Sequence, residues 1–267
     1  MTMGQLDDRV AVVTGGADGI GYGICRRFAA EGAKLLVTDI DGEAAERVAG
    51  ELANEFGADA RDMRVDVAEK DEVTAMVDAA VDHWGRLDAL INNAWGGGEL
   101  SRVEIKTDQL MNDAMHVGLY GPLWAMQAAF RPMRDQRYGR IVNLCSLNGV
   151  NAHMGTLEYN CAKEALRTLS RTAAREWAPY GIVVNVICPG AKTASARRVE
   201  QMMPDLIRNA EAANPMGRMG DPEGDIAPVA LFLSIEDAQY LTGNTLYVDG
   251  GSHINGASWV PDLPETE

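Results

Sequence analysis

The sequence RVAVVTGGADGIG at residues 9–21 decides the fold class. Its first six residues form a short apolar run that predicts a buried strand, and a glycine-rich turn follows directly. The amphipathic segment from Tyr22 to Glu31 then predicts a helix. Strand, glycine-rich turn and helix in this order suit a bound pyrophosphate, because glycines permit the tight turn and a helix N-terminus favours negative charge.

The rest of the chain repeats the alternation of strand and helix. Apolar runs predict strands at 9–14, 34–39, 60–65, 87–91, 140–145, 181–187 and 244–248. Helical patterns fill the intervals at 43–56, 71–84, 107–134, a segment that carries Tyr159 to Trp177, and 222–234, with a bend expected near Gly121-Pro122. This order predicts an α/β fold whose parallel sheet is covered by helices on both faces, within one domain over residues 1–267.

Composition excludes several classes of protein. The net charge of −15 disfavours general binding to nucleic acid or to an anionic membrane. No apolar run approaches the roughly 20 residues of a membrane span, and the N-terminus lacks the apolar segment of a secretory signal. The four cysteines are scattered without a metal-ligand spacing, so we expect reduced thiols, no metal site and a cytoplasmic location.

Acidic residues follow the second and third predicted strands. Asp39 ends the second strand 18 residues after Gly21, where a carboxylate can accept hydrogen bonds from an adenosine ribose. The alternative is a turn or helix-capping residue. Asp18 adds a second negative charge inside the glycine-rich turn, and two acids would repel a 2′-phosphate, so the sequence favours NAD over NADP. Asp66-Val67 follows the third strand and could meet the adenine.

A proton-transfer site is predicted between Ser146 and Lys163. Tyr159 and Lys163 are four residues apart and therefore share one helix face. An ammonium favours the phenolate form of a neighbouring tyrosine, which is otherwise a poor base at neutral pH. The hydroxyl of Ser146 could bind a substrate oxygen. For so short a pattern the alternative is an ordinary helix with an exposed lysine and a half-buried tyrosine.

Several ordered motifs together resemble the classical short-chain dehydrogenase/reductase family over about residues 7–251. They are TGGADGIG at 14–21, Asp39, Asp66-Val67, NNA at 92–94, Ser146, YNCAK at 159–163, NVICPG at 185–190 and LYVDGG at 246–251. The resemblance implies a Rossmann-like, doubly wound, seven-stranded parallel sheet, and a homotetramer or homodimer packed through the helices at 107–134 and 157–177. It also implies a variable substrate lid at 191–219, followed by a C-terminal tail at 252–267.

The resemblance further implies a role for each matching residue. Tyr159 would be the general acid/base, Lys163 would lower its pKa and bind the nicotinamide ribose, and Ser146 would hold the substrate oxygen. The activity implied is NAD-dependent interconversion of a secondary alcohol and a ketone. The expected cofactor-binding residues are Gly15, Asp18, Gly19, Ile20, Gly21, Asp39, Asp66, Val67, Asn93, Ala94, Tyr159, Lys163, Pro189, Gly190 and Thr193.

The chain departs from the family pattern at three places. Trp95 replaces the glycine of NNAG, and the PGxxxT spacing is shortened to Pro189-Gly-Ala-Lys-Thr193. Gly118 stands where the family has a fourth catalytic residue, an asparagine that positions a water for proton relay through the lysine. We therefore expect water to fill the space left at Gly118.

The substrate is expected to be a bulky apolar secondary alcohol or ketone, such as an alicyclic, terpenoid or steroid-like molecule. Methionines in the lid can form an adaptable apolar wall, although they could equally pack the lid onto its own domain. His153 lacks a paired carboxylate and is weaker than Tyr159 as an acid/base candidate. The expected substrate-contacting residues are Trp95, Asn148, His153, Met154, Met202 and Met203.

Two other functions remain open from the sequence. A 3-oxoacyl-thioester reductase using NADPH would need a basic surface for an acidic carrier protein, and two arginine clusters could supply one. They are Arg131, Arg134, Arg137 and Arg140, and Arg167, Arg171 and Arg175. A non-catalytic NAD-binding sensor or scaffold would explain Gly118 and Trp95, but the intact Ser146, Tyr159 and Lys163 argue against it.

Overall fold

Seven strands form one parallel sheet in the computed structural model, which describes residues 4–193, 201 and 204–254. They are β1 (Val10–Thr14), β2 (Lys34–Asp39), β3 (Ala60–Arg64), β4 (Ala89–Asn92), β5 (Gly139–Leu144), β6 (Ile182–Pro189) and β7 (Thr245–Val248). Their order across the sheet is β3-β2-β1-β4-β5-β6-β7, with every neighbouring pair parallel. This confirms the Rossmann-like, doubly wound α/β fold. The strand order reverses between β1 and β4, where such sheets open a crevice at their carboxyl ends.

Helices cover both faces of the sheet. They are α1 (Gly19–Ala30), α2 (Gly42–Phe56), α3 (Lys70–Trp84), α4 (Asp108–Met115), α5 (Gly121–Asp135), α6 (Leu147–Val150), α7 (Leu157–Trp177), α8 (Pro204–Ala213) and α9 (Ala227–Ser234). Phe28 of α1 and Leu52 of α2 lie in one apolar cluster, whereas Met76 of α3 and Met126 of α5 lie in another. Every residue of β1, β4 and β5 is buried, which explains why apolar residues dominate these strands.

A π-helical turn at His116–Tyr120 separates α4 from α5. The sequence predicted one long helix bent near Gly121-Pro122, and the irregularity observed is this π-helical turn, which ends directly before Gly121. Pro122, which has no N–H to donate, follows this turn within a continuous helical path, because Tyr120 and Gly121 keep helical backbone angles. Gly118 is buried within the π-helical turn. Such turns occur frequently at functional sites.

The final predicted helix, at 222–234, also differs from expectation. Its first five residues, Pro222–Ile226, form a second π-helical turn, and α9 begins only at Ala227. Among the helices in the described part of the chain, none is long and apolar enough to cross a membrane.

Candidate active site

A cleft of about 1210 Å³ opens at the carboxyl ends of the strands. Its lining residues follow β1, β2, β3, β4, β5 and β6, so the cleft lies at the switch point that the strand order creates. Fifteen residues predicted for cofactor or substrate line it: Gly15, Asp18, Gly19, Ile20, Asp39, Asp66, Val67, Asn93, Ala94, Trp95, Asn148, Tyr159, Lys163, Pro189 and Thr193.

The glycine-rich turn after β1 forms one end of this cleft. Gly15 has a φ of +62°, a conformation that favours glycine, and a side chain at Gly21 would overlap the carbonyl of Gly15. The side-chain amide of Asn93 donates to the carbonyl oxygens of Thr14 and Gly15, each over 2.9 Å. Asn93 therefore fixes the turn from the neighbouring strand, and the requirement for glycine at position 21 is steric.

The space above the turn fits the pyrophosphate of a dinucleotide. Gly19 begins α1 with a φ of +56°, and the nearest atom to a Cβ built there is Thr193 Cβ at 3.9 Å. The backbone can therefore approach a ligand closely, next to the N-terminus of α1. Asp18 caps this helix, and its Oδ1 accepts a hydrogen bond from the Gly19 N–H over 2.6 Å.

Asp39 holds its carboxylate at the edge of the cleft. Its Oδ2 accepts a hydrogen bond from Ala17 N over 3.1 Å, and its Oδ1 accepts one from Asp41 N over 3.2 Å. Asp41, not Asp39, caps α2, so the helix-capping alternative for Asp39 is wrong. Asp39 does help to shape the turn while it lines the cleft, and the two roles are compatible because a carboxylate accepts several hydrogen bonds.

Ser146, Tyr159 and Lys163 lie together beside the cleft. Lys163 is only 3% exposed, donates to Leu144 O over 2.8 Å, and places its Nζ 5.7 Å from the centroid of the Tyr159 ring. The Ser146 hydroxyl caps α6 by accepting from Asn148 N over 3.1 Å, and it lies close enough to Tyr159 to lower the pKa of that phenol. The alternative of an exposed lysine on an ordinary helix is wrong, since the ammonium is buried against the tyrosine.

Burial sets the direction of both pKa shifts in this group. It raises the pKa of Tyr159 above its ordinary value, while the hydrogen bond from Ser146 acts in the opposite direction. Burial also lowers the pKa of Lys163. The net shift in the pKa of Tyr159 is upward because desolvation of the phenolate outweighs the favourable contact with Ser146. A proton can still pass between the Ser146 and Tyr159 hydroxyls and a bound substrate oxygen.

The indole of Trp95 occupies the space beside Gly118. A Cβ at Gly118 would lie 2.8 Å from Trp95 Cζ3 and 2.8 Å from the Cβ of Ala162. The expectation that water fills this space is therefore wrong, because the indole is already there. Trp95 also packs edge-to-face on Tyr159, with ring centroids 4.6 Å apart.

A buried ion pair next to Tyr159 was missed from the sequence. Glu158 is 1% exposed, and its Oε2 lies 2.6 Å from Lys106 Nζ. Its Oε1 accepts a hydrogen bond from Glu99 N over 2.9 Å, and Lys106 also donates to Glu99 O and Gly155 O. The pair joins the segment 95–106 to the start of α7. No sequence pattern indicated it, because the partners are 52 residues apart and each resembles an ordinary surface residue.

Other residues that line the cleft also carried no sequence signal. The segment after β4 contributes Gly96, Gly97, Gly98, Glu99 and Leu100, and the start of the π-helical turn contributes His116 and Val117. A long connection between a strand and a helix gives no period from which its path can be predicted.

Some predicted site residues lie outside the cleft lining or outside the described residues. His153 and Met154 are exposed on the turn between Asn148 and Thr156, with Met154 94% exposed. Gly190 lies behind the lining and donates its N–H to Val248 O. Met202 and Met203 fall outside the described residues, as does part of the 191–219 segment and of the 252–267 tail.

A glycine-rich loop and a buried tyrosine–lysine pair at the switch point of a doubly wound sheet are features of a dinucleotide-dependent oxidoreductase. A family model described as enoyl-(acyl carrier protein) reductase matches residues 15–253. The chain belongs to the short-chain dehydrogenase/reductase family, as its motifs indicated.

Relatives of known name cover almost the whole chain. A 12alpha-hydroxysteroid dehydrogenase of Clostridium sp. is 35% identical over 255 residues, which are 93% of this chain and 98% of the relative. A 3-oxoacyl-(acyl-carrier-protein) reductase of Aquifex aeolicus is 31% identical, covering 92% and 98% of the two chains. The crystal structure of levodione reductase superposes with a TM-score of 0.89 at 30% identity, covering 94% and 99%. These relatives support the assignment of the chain to the family, and they are named for different substrates.

Proposed function

We propose that this protein is an NAD-dependent oxidoreductase that interconverts a secondary alcohol and a ketone, with Tyr159 as the general acid/base. The proposal rests on one observation: Tyr159 and the buried Lys163 line the same cleft as the glycine-rich turn, and Ser146 lies next to Tyr159. The first group of residues can transfer a proton, and the turn can hold a dinucleotide.

Each residue has a distinct task in the direction of oxidation. Ser146 holds the substrate hydroxyl by a hydrogen bond, and Tyr159 accepts the proton that this hydroxyl loses. Lys163 is fixed by Leu144 O, so its charge remains close to the tyrosine as the phenolate forms. When bound, the oxidised nicotinamide supplies the hydride acceptor and a positive charge that favours the phenolate.

The preference for NAD rests on two carboxylates. Asp18 and Asp39 both line the cleft, at the end where the adenosine ribose of a dinucleotide would lie against the glycine-rich turn. A 2′-phosphate placed near these carboxylates would experience like-charge repulsion, whereas a 2′-hydroxyl can donate to them.

An apolar, bulky substrate is supported by the walls of the cleft. Trp95, Leu100 and Val117 all line it, and Leu100 is 72% exposed at its mouth. One relative is named for a hydroxysteroid. We place Trp95 and Asn148 against the substrate, whereas His153 and Met154 could meet only a substrate that extends beyond the cleft lining.

A 3-oxoacyl-thioester reductase is the second candidate, because one relative bears that name and the matching family model is described for a related activity. The surroundings of the arginines that could have formed a carrier-protein surface weaken this candidate. Arg140 is 3% exposed, Arg134 pairs with Asp135, and Arg167 pairs with Glu164. These contacts neutralise or bury much of the positive charge that an acidic carrier would recognise.

A coenzyme and substrate panel tests this proposal. Initial rates are measured with NAD and NADP against cyclic and steroid-like secondary alcohols, small charged hydroxy acids, and a 3-oxoacyl thioester in the reverse direction. We expect the highest kcat/KM with NAD and an apolar cyclic alcohol. A higher kcat/KM with NADPH and the thioester would establish the second candidate, and tight NAD binding without turnover of any substrate would establish the non-catalytic sensor or scaffold.

A further inference from the structure

Trp95 and Gly118 lie in contact at the centre of the site, although 23 positions separate them in the sequence. We propose that they form a matched pair, in which the indole, seated against Gly118, holds the Tyr159 phenol and the Lys163 ammonium in position for proton transfer. The catalytic part of this proposal rests on the proposed function. Besides lining the cleft, Trp95 is a positioning residue in this proposal, because it acts on proton transfer through Tyr159 and Lys163.

The indole contacts both groups at once. Its centroid lies 4.6 Å from that of the Tyr159 ring at an interplanar angle of 74°, the edge-to-face geometry that aromatic pairs prefer. The Lys163 Nζ lies 5.2 Å from the indole centroid, within the distance at which an ammonium is attracted to an aromatic face. A single side chain therefore restricts the tyrosine ring and stabilises the charge of the lysine.

Small residues create the space that the indole fills. A Cβ at Gly118 would approach both Trp95 Cζ3 and Ala162 Cβ to 2.8 Å, closer than carbon atoms pack, so an alanine there would force a shift. Gly118 is held in the π-helical turn and Ala162 lies on α7 between Tyr159 and Lys163. Gly97 and Gly98, with φ of +83° and +93°, let the chain turn away directly after the tryptophan.

The lysine is the group that gains most from this contact. Lys163 is buried, and desolvation lowers its pKa. The groups that interact with it are Leu144 O, the Tyr159 ring, the thiols of Cys145 and Cys188, and the Trp95 ring. Both thiols have raised pKa values and are neutral near pH 7, so they provide no counter-ion. An aromatic face can therefore offset part of the cost of a buried ammonium without adding a charge.

Two substitutions at Trp95 separate the aromatic contact from simple filling of space. Trp95→Leu keeps an apolar side chain but removes the ring, whereas Trp95→Phe keeps a ring. Loss of the ring disfavours the protonated form of Lys163. Because that ammonium stabilises the Tyr159 phenolate, the phenolate is disfavoured as well. We therefore expect Trp95→Leu to move the acidic limb of the pH profile for alcohol oxidation upward by about one pH unit, and Trp95→Phe to move it less than half as far.

The ionisation of Tyr159 can also be measured without turnover. Isotope-labelled tyrosine NMR, with Tyr159→Phe to identify the resonance, follows ionisation of the phenol in the NAD-bound protein. The proposal is supported if the pKa of Tyr159 rises in Trp95→Leu and rises much less in Trp95→Phe. Equal titration of wild type and both variants overturns it, even if the enzyme proves inactive. Turnover with the wild-type profile in Trp95→Leu overturns the proposal while leaving the proposed function intact.

The Gly118 side of the pair has its own test. Gly118→Ala should displace the indole, lower the melting temperature and move the Tyr159 titration in the same direction as Trp95→Leu. Gly50→Ala is the matched control, because Gly50 lies in α2 with nothing within 4 Å of a Cβ built there. An unchanged Tyr159 titration in Gly118→Ala would show that Gly118 does not seat the indole and would overturn the matched pair.

Discussion

Individual side chains in the site can have two roles: they form hydrogen bonds that fix the backbone, and they line the cleft in which a ligand would bind. Asp39 illustrates this, since its two oxygens fix the backbone at Ala17 and Asp41 while the carboxylate lines the cleft. Removing the side chain would therefore disturb the turn as well as the ligand. An informative substitution must remove the charge and leave the hydrogen-bonding oxygen in place.

Asp39→Asn comes closest to this condition, because its amide oxygen can still accept from one of the two N–H groups, whereas its NH2 group cannot accept from the other. We expect the preference for NAD over NADP, measured as the ratio of kcat/KM values, to fall by about tenfold, because the loss of one carboxylate removes repulsion from the 2′-phosphate. Asp62→Asn on the exposed edge strand β3 is the control and should leave the ratio unchanged. A ratio that stays the same in Asp39→Asn would show that this carboxylate does not select the coenzyme.

The catalytic residues could be predicted from sequence because their spacing is local. Tyr159 and Lys163 are one helical turn apart, and a strand delivers Ser146 to the same edge of the sheet. The contact between Trp95 and Gly118 could not be predicted in this way, because it joins a strand end to a π-helical turn. The upward shift in the pKa of Tyr159 depends on burial, which the motif itself does not encode.

At the scale of elements, the connection from β4 to α4 is held against the start of α7 by a few polar contacts. The Lys106–Glu158 pair supplies two charges, Glu158 also accepts from Glu99 N, and Ser101 N donates to Gly155 O. These bonds place Trp95 and Leu100 as a wall of the cleft. A buried pair of this kind is costly to break on one side only, since the remaining charge then lacks its partner.

Lys106→Met should therefore destabilise the protein by about 3–5 kcal/mol, measured as the free energy of unfolding in urea. The double variant Lys106→Met/Glu158→Leu should recover much of that loss, because neither charge then remains buried alone. Arg102→Met is the control, since Arg102 pairs with Glu104 at the surface. A double variant no more stable than Lys106→Met would contradict a paired, buried charge.

The Lys106–Glu158 pair should also make the stability of the protein depend on pH. Burial alone would raise the pKa of Glu158, but the Lys106 ammonium and the Glu99 N–H together hold it below its usual value. A carboxyl whose pKa is lowered by folding contributes stability above its unfolded pKa of about 4.3 and loses it as pH falls through the folded value. The stability difference between wild type and Glu158→Gln, followed by urea unfolding, should shrink below about pH 4, and a constant difference would contradict this.

For the molecule as a whole, the order of strands and helices could be predicted from hydrophobic period, because buried parallel strands and amphipathic helices have distinct patterns. The interruption at His116–Tyr120 could not, since a π-helical turn adds a residue without changing composition. The path of residues 95–106 could not be predicted from the sequence either, because long-range polar contacts fix it.

Assembly is a further prediction at this scale. The family resemblance implies a homotetramer or homodimer packed through the helices around α4, α5 and α7. His116, Tyr120 and Trp124 form a cluster of rings there, with Tyr120 and Trp124 stacked 5.8 Å apart and Tyr120 exposed. Light scattering should give a multiple of the 28.8 kDa chain mass, and Tyr120→Arg should lower it. A monomer at micromolar concentration would contradict the prediction.

In the proposed function, Tyr159 transfers the proton in an NAD-linked oxidation. The most direct test compares Tyr159→Phe with Tyr180→Phe, whose hydroxyl lies outside the cleft lining, in NADH formation from the best alcohol and in NAD affinity. We expect that Tyr159→Phe lowers kcat by about two to four orders of magnitude and still binds NAD, whereas Tyr180→Phe behaves as wild type. Turnover by Tyr159→Phe at the wild-type rate would contradict it.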